Sequence, residues 1–397
     1  MKIVVACELP DPALDELRTL TPDVHYLPQA SPAELRDSLA DAGILIVGTT
    51  RVSPELITRA PVLQMIVHAG SGPGDVAVED ASAAGVFVTH CPDKDAEAIA
   101  ELTLGLILAL DRRIVSNTVA LRENRWTRGE STDARGLYNR TLGILGYGAV
   151  GRLVAQRALA FGMHVRAWSP EPVDTPPEFN IEFCNWPREL ARDCDVIAVL
   201  PAGDPNELLV DAAFLQSMPD GAYLVHVGHP GAVDEAALAR AVEQRHLRVA
   251  LDVCSSEPAG DTGRFRWRFG DLVNVIGTQH IGSLTAQARQ ATADEVVHIV
   301  RSFVVSGEVL NCLNLCDRSP ATWQLVLRVR DQVGVMAAIL DAIRADGINA
   351  QEMASRVFTG AKAAWCVIAL EERPSTEALE SIRALPDVLH LELRAVV

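Results

Sequence analysis

The 397-residue chain carries 52 acidic against 35 basic side chains, a formal net charge of −17; a surface that negative repels phosphate backbones, so nucleic acid is not an expected partner. Hydrophobic residues make up 49%, enough for two or three packed domains and too many for a disordered chain. No apolar run reaches the length of a membrane span, MKIVVACELP shows no signal-peptide pattern, and the eight cysteines lack metal-type pairing, so a cytoplasmic chain with reduced thiols is expected.

Short apolar runs alternate with amphipathic stretches from the start. KIVVA (residues 2–6), ILIVG (44–48) and LQMIVHAG (63–70) have the pattern of buried parallel strands, and DPALDELRTL and SPAELRDSLA that of helices between them. SPAE is a capping box, with Ser31 as N-cap and Glu34 reaching back. A helix apolar on most faces follows over about Asp95–Arg113, which predicts burial between layers. A second alternating block begins at TLGILGYGAVG and continues through DVIAVL, AYLVHV, RVALDV and LVNVIG to a long helix over Thr285–Val305. SGEVLNCLNLCDRSP is polar and turn-rich, a linker containing the Cys312/Cys316 pair. Beyond it, TWQLVLRV, GVMAAILDAIRADG, KAAWCVIAL, TEALESIRALPDV and LHLELRAV make a small βαββαβ unit if NAQEMASRVF supplies its second strand.

GILGYGAVG contains the spacing G-x-G-x-x-G at Gly146, Gly148 and Gly151, after an apolar strand and opening a helix. Gly146 permits the tight turn, Gly148 lets the backbone approach a pyrophosphate, and Gly151 lets helix and strand pack closely. The helix N-terminus then offers N–H groups to the phosphates. The next strand, HVRAW, ends at Ser169 where an acidic ribose ligand is expected. Glu171 is the nearest substitute, and Arg152 and Arg166 are the nearest cations. NAD is favoured and NADP stays open.

Five stretches together, AIAELTLGLILAL, LGILGYGAVGRLVAQRALAFGM, VDEAALARAV, ALDVCSSEP and QHIGSLTAQA, carry a resemblance over nearly the whole chain. The chain resembles the D-2-hydroxyacid dehydrogenases, and among them the 3-phosphoglycerate dehydrogenases that carry a C-terminal ACT domain. The resemblance implies an α/β protein with two doubly wound parallel-sheet domains, a flavodoxin-like catalytic domain and a Rossmann nucleotide-binding domain, plus a C-terminal βαββαβ ACT-like domain. The expected bounds are 1–95 with 284–310 for a discontinuous catalytic domain, 96–283 for the nucleotide domain, 311–320 for a linker and 321–397 for a regulatory or dimerisation domain. A homodimer or homotetramer is expected.

By the same resemblance, His280 is the catalytic acid/base and Glu257 its partner. An imidazole suits a proton moved near neutral pH, and a carboxylate on its other nitrogen fixes the tautomer. The positions expected to face the cofactor are Gly146, Gly148, Ala149, Val150, Gly151, Ser169, Pro201, Val227, Asp252 and His280. His68, Ala69, Gly70, Ser71 and Gly72 match the loop that cradles a substrate carboxylate, with the N–H groups of Gly70, Ser71 and Gly72 as an anion nest. Lys94 is a further substrate-binding residue, with His90 nearby.

The departures lie in the same pocket. The family's substrate-gripping Arg falls at His229, within LVHVGHPGAVDE, and its Asn falls at His226. His68 stands where phosphoglycerate dehydrogenases often carry Arg. A guanidinium is always charged and offers parallel donors; an imidazole offers one donor and a partial charge. Three readings follow: a dehydrogenase adapted to another small anionic substrate, with His229, Lys94 or Arg266 as the cation; a silent nucleotide-binding sensor; or a metal held by His68, His90, His226, His229 and His280. The retained His280–Glu257 pair favours the first, and no ligand spacing supports a metal. In the tail, VRDQVGVMAAIL matches the amino-acid-binding loop of ACT domains, with Asp331 as an effector-gripping residue, and Asn349 in GINA matches a further one. Pure dimerisation is the competing reading.

Overall fold

The computed structural model describes residues 1–126, 128, 134–170, 180–200, 207–258, 263–316 and 319–396. They fall into two compact units, 1–314 and 315–397.

In the first unit, β1 (Lys2–Ala6), β2 (Val24–Tyr26), β3 (Ala42–Val47), β4 (Met65–His68) and β5 (Phe87–His90) form a parallel sheet in the order β2-β1-β3-β4-β5. This is the flavodoxin-like doubly wound order. The strands alternate with α1 (Asp11–Leu20), α2 (Pro32–Leu39), α3 (Pro54–Thr58) and α4 (Val78–Ala83). Because both faces are covered, alternate residues of each strand enter two different cores. Ile3, Val5, Ile44 and Ile46 face one side, Val4, Ala6, Leu45 and Val47 the other. The capping box at the start of α2 forms as expected, with Ser31 and Glu34 bonded reciprocally.

Two helices, α5 (Ala96–Asp111) and α6 (Ile114–Arg122), lead into the second sheet. Its strands are β6 (Thr141–Leu145), β7 (His164–Trp168), β8 (Ile181–Phe183), β9 (Val196–Val199), β10 (Tyr223–His226), β11 (Arg248–Leu251) and β12 (Val275–Gly277). All pairs are parallel, in the order β12-β11-β10-β9-β6-β7-β8, which is the Rossmann winding with one added edge strand. Helices α7 (Ala149–Ala160), α8 (Pro187–Asp193), α9 (Ala212–Ser217) and α10 (Glu235–Arg245) cover its faces.

The chain then returns to the first sheet. In α11 (Ala286–Ser306), the residues Ala293, Val296, Val297, Ile299 and Val300 share a core with Ile3, Ile44, Met65 and Val67. α5 packs instead with Leu142, Ile144 and Val225 of the second sheet and with Val154 of α7. These two helices are therefore where the chain leaves and re-enters the first layer. Residues 311–314 still run along β5: Leu313 N–H donates to Val88 O at 2.8 Å, and Asn314 Oδ1 accepts from Val88 N–H at 2.8 Å.

The second unit reads β13 (Trp323–Arg330), α12 (Val335–Ala345), β14 (Ala350–Val357), β15 (Ala363–Leu370), α13 (Thr376–Ala384) and β16 (Val388–Ala395). Its antiparallel sheet has the order β14-β15-β13-β16, and NAQEMASRVF does supply β14. One core of Leu325, Leu327, Val329, Ile339, Ile343, Ile368 and Ile382 lies between the sheet and its helices. Among the described residues no helix is long and apolar enough to cross a membrane.

Candidate active site

The glycine-rich turn sits at the carboxyl end of β6, the position at which a doubly wound sheet receives its ligand. Gly146 has φ 109°, and its N–H donates to Trp168 O at 3.0 Å, tying the turn to the end of β7. A Cβ on Gly151 would stand 2.5 Å from Gly146 O, so only glycine lets the first turn of α7 lie this close to the strand. Gly148 is the N-cap of α7 and supplies no side-chain cap, which leaves the first-turn N–H groups, from Ala149 and Val150 on, to a ligand. These are the features a pyrophosphate requires, and the loop fits a dinucleotide. Ser169 follows β7 directly. Arg166 is committed to Asp193 at 2.6 Å and Glu182 at 2.8 Å, and Arg152 lies over the Tyr147 ring at 5.9 Å. Arg166 is thus held by two carboxylates. Pro201 and Glu171 lie outside the described residues.

At the other side of the switch point, His280 Nδ1 lies 2.8 Å from Glu257 Oε2. A carboxylate accepts, so Nδ1 carries the proton and Nε2 is left for chemistry. Glu257 Oε1 accepts the Cys254 N–H at 2.6 Å, so both carboxylate oxygens are used. His280 itself has φ 53°, a left-handed conformation that a non-glycine residue holds only when its surroundings impose it. Here Asp252 imposes it. Its carboxylate accepts from Thr278 Oγ1 at 2.5 Å, Ile281 N at 2.9 Å and Gly282 N at 2.9 Å. Its carbonyl accepts the His280 N–H at 2.7 Å. Asp252 thus acts as a staple for the histidine loop rather than as a strand-end cap.

The row continues into LVHVGHPGAVDE. Asp252 N–H donates to His226 O at 2.9 Å, and Val227 N–H to Val199 O at 3.1 Å, so the ends of β9, β10 and β11 lie side by side next to His280. His226 is 2% exposed. Among the described residues neither ring nitrogen has a hydrogen-bond partner of good geometry, although the main chains of Val199 and His229 stand close enough to act on the ring. Burial above all pushes its pKa down to about 4, with His229 adding to the effect. His229 caps the short 3-10 turn Pro230–Ala232 and is half-buried.

The 68–72 loop differs from the anion nest expected of it. Gly70 N–H is spent on His68 O at 2.9 Å, and Gly72 N–H on His90 Nδ1 at 3.0 Å. Of the three amides proposed as donors, that of Ser71 alone has no such bond among the described residues. Ser71 Oγ donates to Asp95 Oδ1 at 3.1 Å, which joins this loop to the start of α5. Ala69 N–H donates to Val47 O at 2.7 Å and holds the loop to β3. Lys94 is paired with Glu295 of α11 at 2.9 Å, which also accepts from Asn311 Nδ2 at 2.8 Å. Despite partial burial, these two partners hold the Glu295 carboxyl below its usual range.

The effector pair is not brought together. β13 and β14 both run antiparallel to β15, with Arg330 opposite Ala363 and Ala350 opposite Leu370. Asp331 follows the end of β13 and Asn349 precedes the start of β14, so they stand at opposite ends of an eight-residue sheet, roughly 25 Å apart. The two residues cannot grip one amino acid within one chain. The histidine cluster does not make a metal centre either: no group of three or more metal-ligating side chains occurs among the described residues.

Several contributors give no signal in the sequence. Thr278 lies 26 residues from the Asp252 it contacts. Glu235 Oε1 accepts the Ser255 N–H at 2.5 Å, bracing the turn that carries Glu257 from the first turn of α10. The only local cue there is Asp234, which caps that helix through the Ala237 amide.

Two doubly wound sheets, a dinucleotide turn in the second and a His–Glu pair at the same carboxyl edge give the architecture of the two-domain dinucleotide-binding proteins. Comparison with known proteins narrows this. Residues 104–288 match the family described as D-isomer specific 2-hydroxyacid dehydrogenase, NAD binding domain. The chain is 34% identical over 309 residues to a D-3-phosphoglycerate dehydrogenase of Mycobacterium bovis, covering 76% of this chain and 56% of that protein. It is 32% identical over 267 residues to a hydroxypyruvate reductase of Thermotoga maritima, covering 66% and 85%. Among solved structures, the TT0316 protein of Thermus thermophilus matches at 31% identity and TM-score 0.68 over 79% of this chain and 100% of that one. An NADPH-dependent glyoxylate/hydroxypyruvate reductase of Sinorhizobium meliloti, solved with NADP and malonate, matches at 25% identity and TM-score 0.67 over 79% and 96%. The chain belongs to the D-isomer specific 2-hydroxyacid dehydrogenase family. It spans about half the length of the mycobacterial relatives, 56%.

Proposed function

We propose that this protein transfers a hydride between NAD and the hydroxyl-bearing carbon of a 2-hydroxy acid. The observation that carries the reading is His280 Nδ1 at 2.8 Å from Glu257, with the second carboxylate oxygen fixed by the Cys254 amide. When bound along the Gly146–Gly151 turn, the nicotinamide cofactor supplies or accepts the hydride. His280 Nε2 gives a proton to the substrate oxygen on reduction and removes it on oxidation. Glu257 holds the ring in the Nδ1–H tautomer and stabilises the imidazolium. Ser71 N–H and His229 receive the carboxylate, a weaker grip than a guanidinium fork. Val227, Asp252 and Ser169 line the cofactor edge.

In this reading, residues 1–95 with 284–310 bind the substrate, 96–283 bind the nucleotide, 321–397 serve regulation or pairing of two or four copies, and the linker expected over 311–320 begins only after Asn314, since 311–314 run along β5. The substrate is a 2-hydroxy or 2-oxo acid of the 3-phosphoglycerate or hydroxypyruvate kind. The test is NADH oxidation against a panel of 2-oxo acids that includes 3-phosphohydroxypyruvate, hydroxypyruvate and glyoxylate. Turnover of at least one is expected, with His280→Ala lowering kcat/KM by about 10²–10⁴. NADH binding without turnover of any acid would favour a silent sensor instead, and full activity in His280→Ala would sink the mechanism.

A further inference from the structure

The peptide units on either side of Gly72 are held by two histidines. Gly72 N–H donates to His90 Nδ1 at 3.0 Å, and Gly72 O lies 2.8 Å from His68 Nδ1. An amide N–H only donates and a carbonyl only accepts, so both tautomers follow. His68 carries its proton on Nδ1. His90 has a bare Nδ1 and its proton on Nε2. The rings issue from positions that are register partners on β4 and β5. The loop also wraps His68 closely: a Cβ on Gly70 would meet its ring at 2.9 Å, and one on Gly74 at 2.6 Å. Gly72 has φ 74° and would meet nothing within 4 Å on its Cβ side, so these two hydrogen bonds, rather than packing there, set its orientation.

We propose that His90 is a positioning residue for the substrate loop: its neutral Nε2–H tautomer clamps the Ser71–Gly72 peptide and so aims the Ser71 N–H at the substrate carboxylate. This rests on the proposed reading of residues 68–72 as the carboxylate site. A protonated His90 would set N–H against N–H and release the clamp. The surroundings favour the neutral ring. Burial and His68 on β4 both lower the His90 pKa, and Asp93 in the following turn opposes them only in part. Burial lowers the His68 pKa as well. The other charged groups around the clamp are engaged: Lys94 with Glu295 of α11, and Asp95 with Ser71. His298 of α11 acts on Glu295, and burial keeps the Cys7 and Cys91 thiols protonated. The clamp is therefore present above the depressed His90 pKa and is lost as pH falls through it, raising KM for the acid while leaving kcat.

The test follows Gly72 amide hydrogen exchange, together with kcat and KM for the best 2-oxo acid, in the full chain between about pH 5 and about pH 8, the range over which histidine titrates. It compares the wild type with His90→Ala and His90→Asn. An Asn Oδ1 occupies nearly the place of Nδ1, accepts the same N–H and does not titrate. The wild type is expected to protect the Gly72 amide near neutral pH and lose that protection in acid. His90→Ala should lose it throughout, with KM up about tenfold, the scale of one lost hydrogen bond. His90→Asn should keep protection and a flat KM across the range. Equal protection in His90→Ala, or an acid-side rise of KM in His90→Asn matching the wild type, overturns the proposal. If the wild type turns over no 2-oxo acid, the functional reading fails, and the exchange comparison alone still decides whether His90 clamps Gly72.

Discussion

Asp252 shows how one buried carboxylate organises the site. It is 2% exposed, and three donors converge on it. An asparagine would turn an NH2 group toward at least one of those donors, leaving an N–H or hydroxyl without an acceptor at a cost of about 1–3 kcal/mol. The loop it staples holds His280 in a left-handed conformation that needs support from outside. Asp252→Asn should therefore lower the melting temperature and reduce kcat by about tenfold or more, since small displacements of a catalytic group cost that much. Unchanged kcat with a lowered melting temperature would confine Asp252 to stability. His226 makes a second prediction at this scale. Its folded pKa is about 4 against an ordinary 6.5, so both folded and unfolded chains hold it neutral above about pH 6.5. Between there and about pH 4 only the unfolded chain takes up the proton, and stability falls by up to about 3 kcal/mol. Urea unfolding at neutral and acid pH should show this loss in the wild type, and His226→Asn should lose less over the same interval.

The joint between α5 and the second sheet depends on one buried ionic cluster. Asp111, at the end of α5 and 1% exposed, accepts from the Arg135 and Gly136 amides at 3.2 and 3.1 Å, from Arg140 Nη1 at 3.3 Å and from Tyr223 Oη at 3.0 Å. Arg140 also lies 4.2 Å over the Tyr223 ring. Removing the guanidinium leaves a buried carboxylate without its cation, a loss of about 3–5 kcal/mol. Arg140→Met is expected to unfold at correspondingly lower denaturant, with the slope of the transition unchanged. At this scale the sequence is most legible where the physical demand is local. The capping box of α2, the turn at Gly146 and the alternation of strands and helices depend on residues a few positions apart. The His280–Glu257 pair spans 23 positions, and only a family resemblance joins the two in the sequence. Lys94, in the turn before α5, and Glu295, on α11, lie 201 positions apart; nothing local marks Lys94 as already paired. The nest at 70–72 is misread for a related reason: the amides are in sequence, but the histidine that takes one of them comes from the next strand. Asp331 and Asn349 show the converse, since two nearby stretches, VRDQVGVMAAIL and GINA, match one kind of domain while strand direction places the two residues at opposite ends of a sheet.

For the whole molecule, the division at Asn314 separates cores as well as contacts. The four hydrophobic clusters of the first unit use no residue beyond Leu310. The single cluster of the second begins at Trp323. The residues of the proposed site also lie in the first unit: the dinucleotide turn, the His280–Glu257 pair, the Asp252 staple and the 68–72 loop all precede residue 314. Folding free energy comes mainly from burial within each core, so the units should melt as separate cooperative transitions. A chain ending at Asn314 is expected to bind NADH and to turn over the same 2-oxo acid with kcat/KM within about fivefold of the full chain, a difference of about 1 kcal/mol. Calorimetry of the full chain should show a second transition that the shortened chain lacks. Loss of NADH binding in the shortened chain would instead make the second unit part of the working enzyme. An amino acid that moved only the second transition would mark that unit as the sensor, and a larger change in kcat/KM on adding it would measure the coupling between the two.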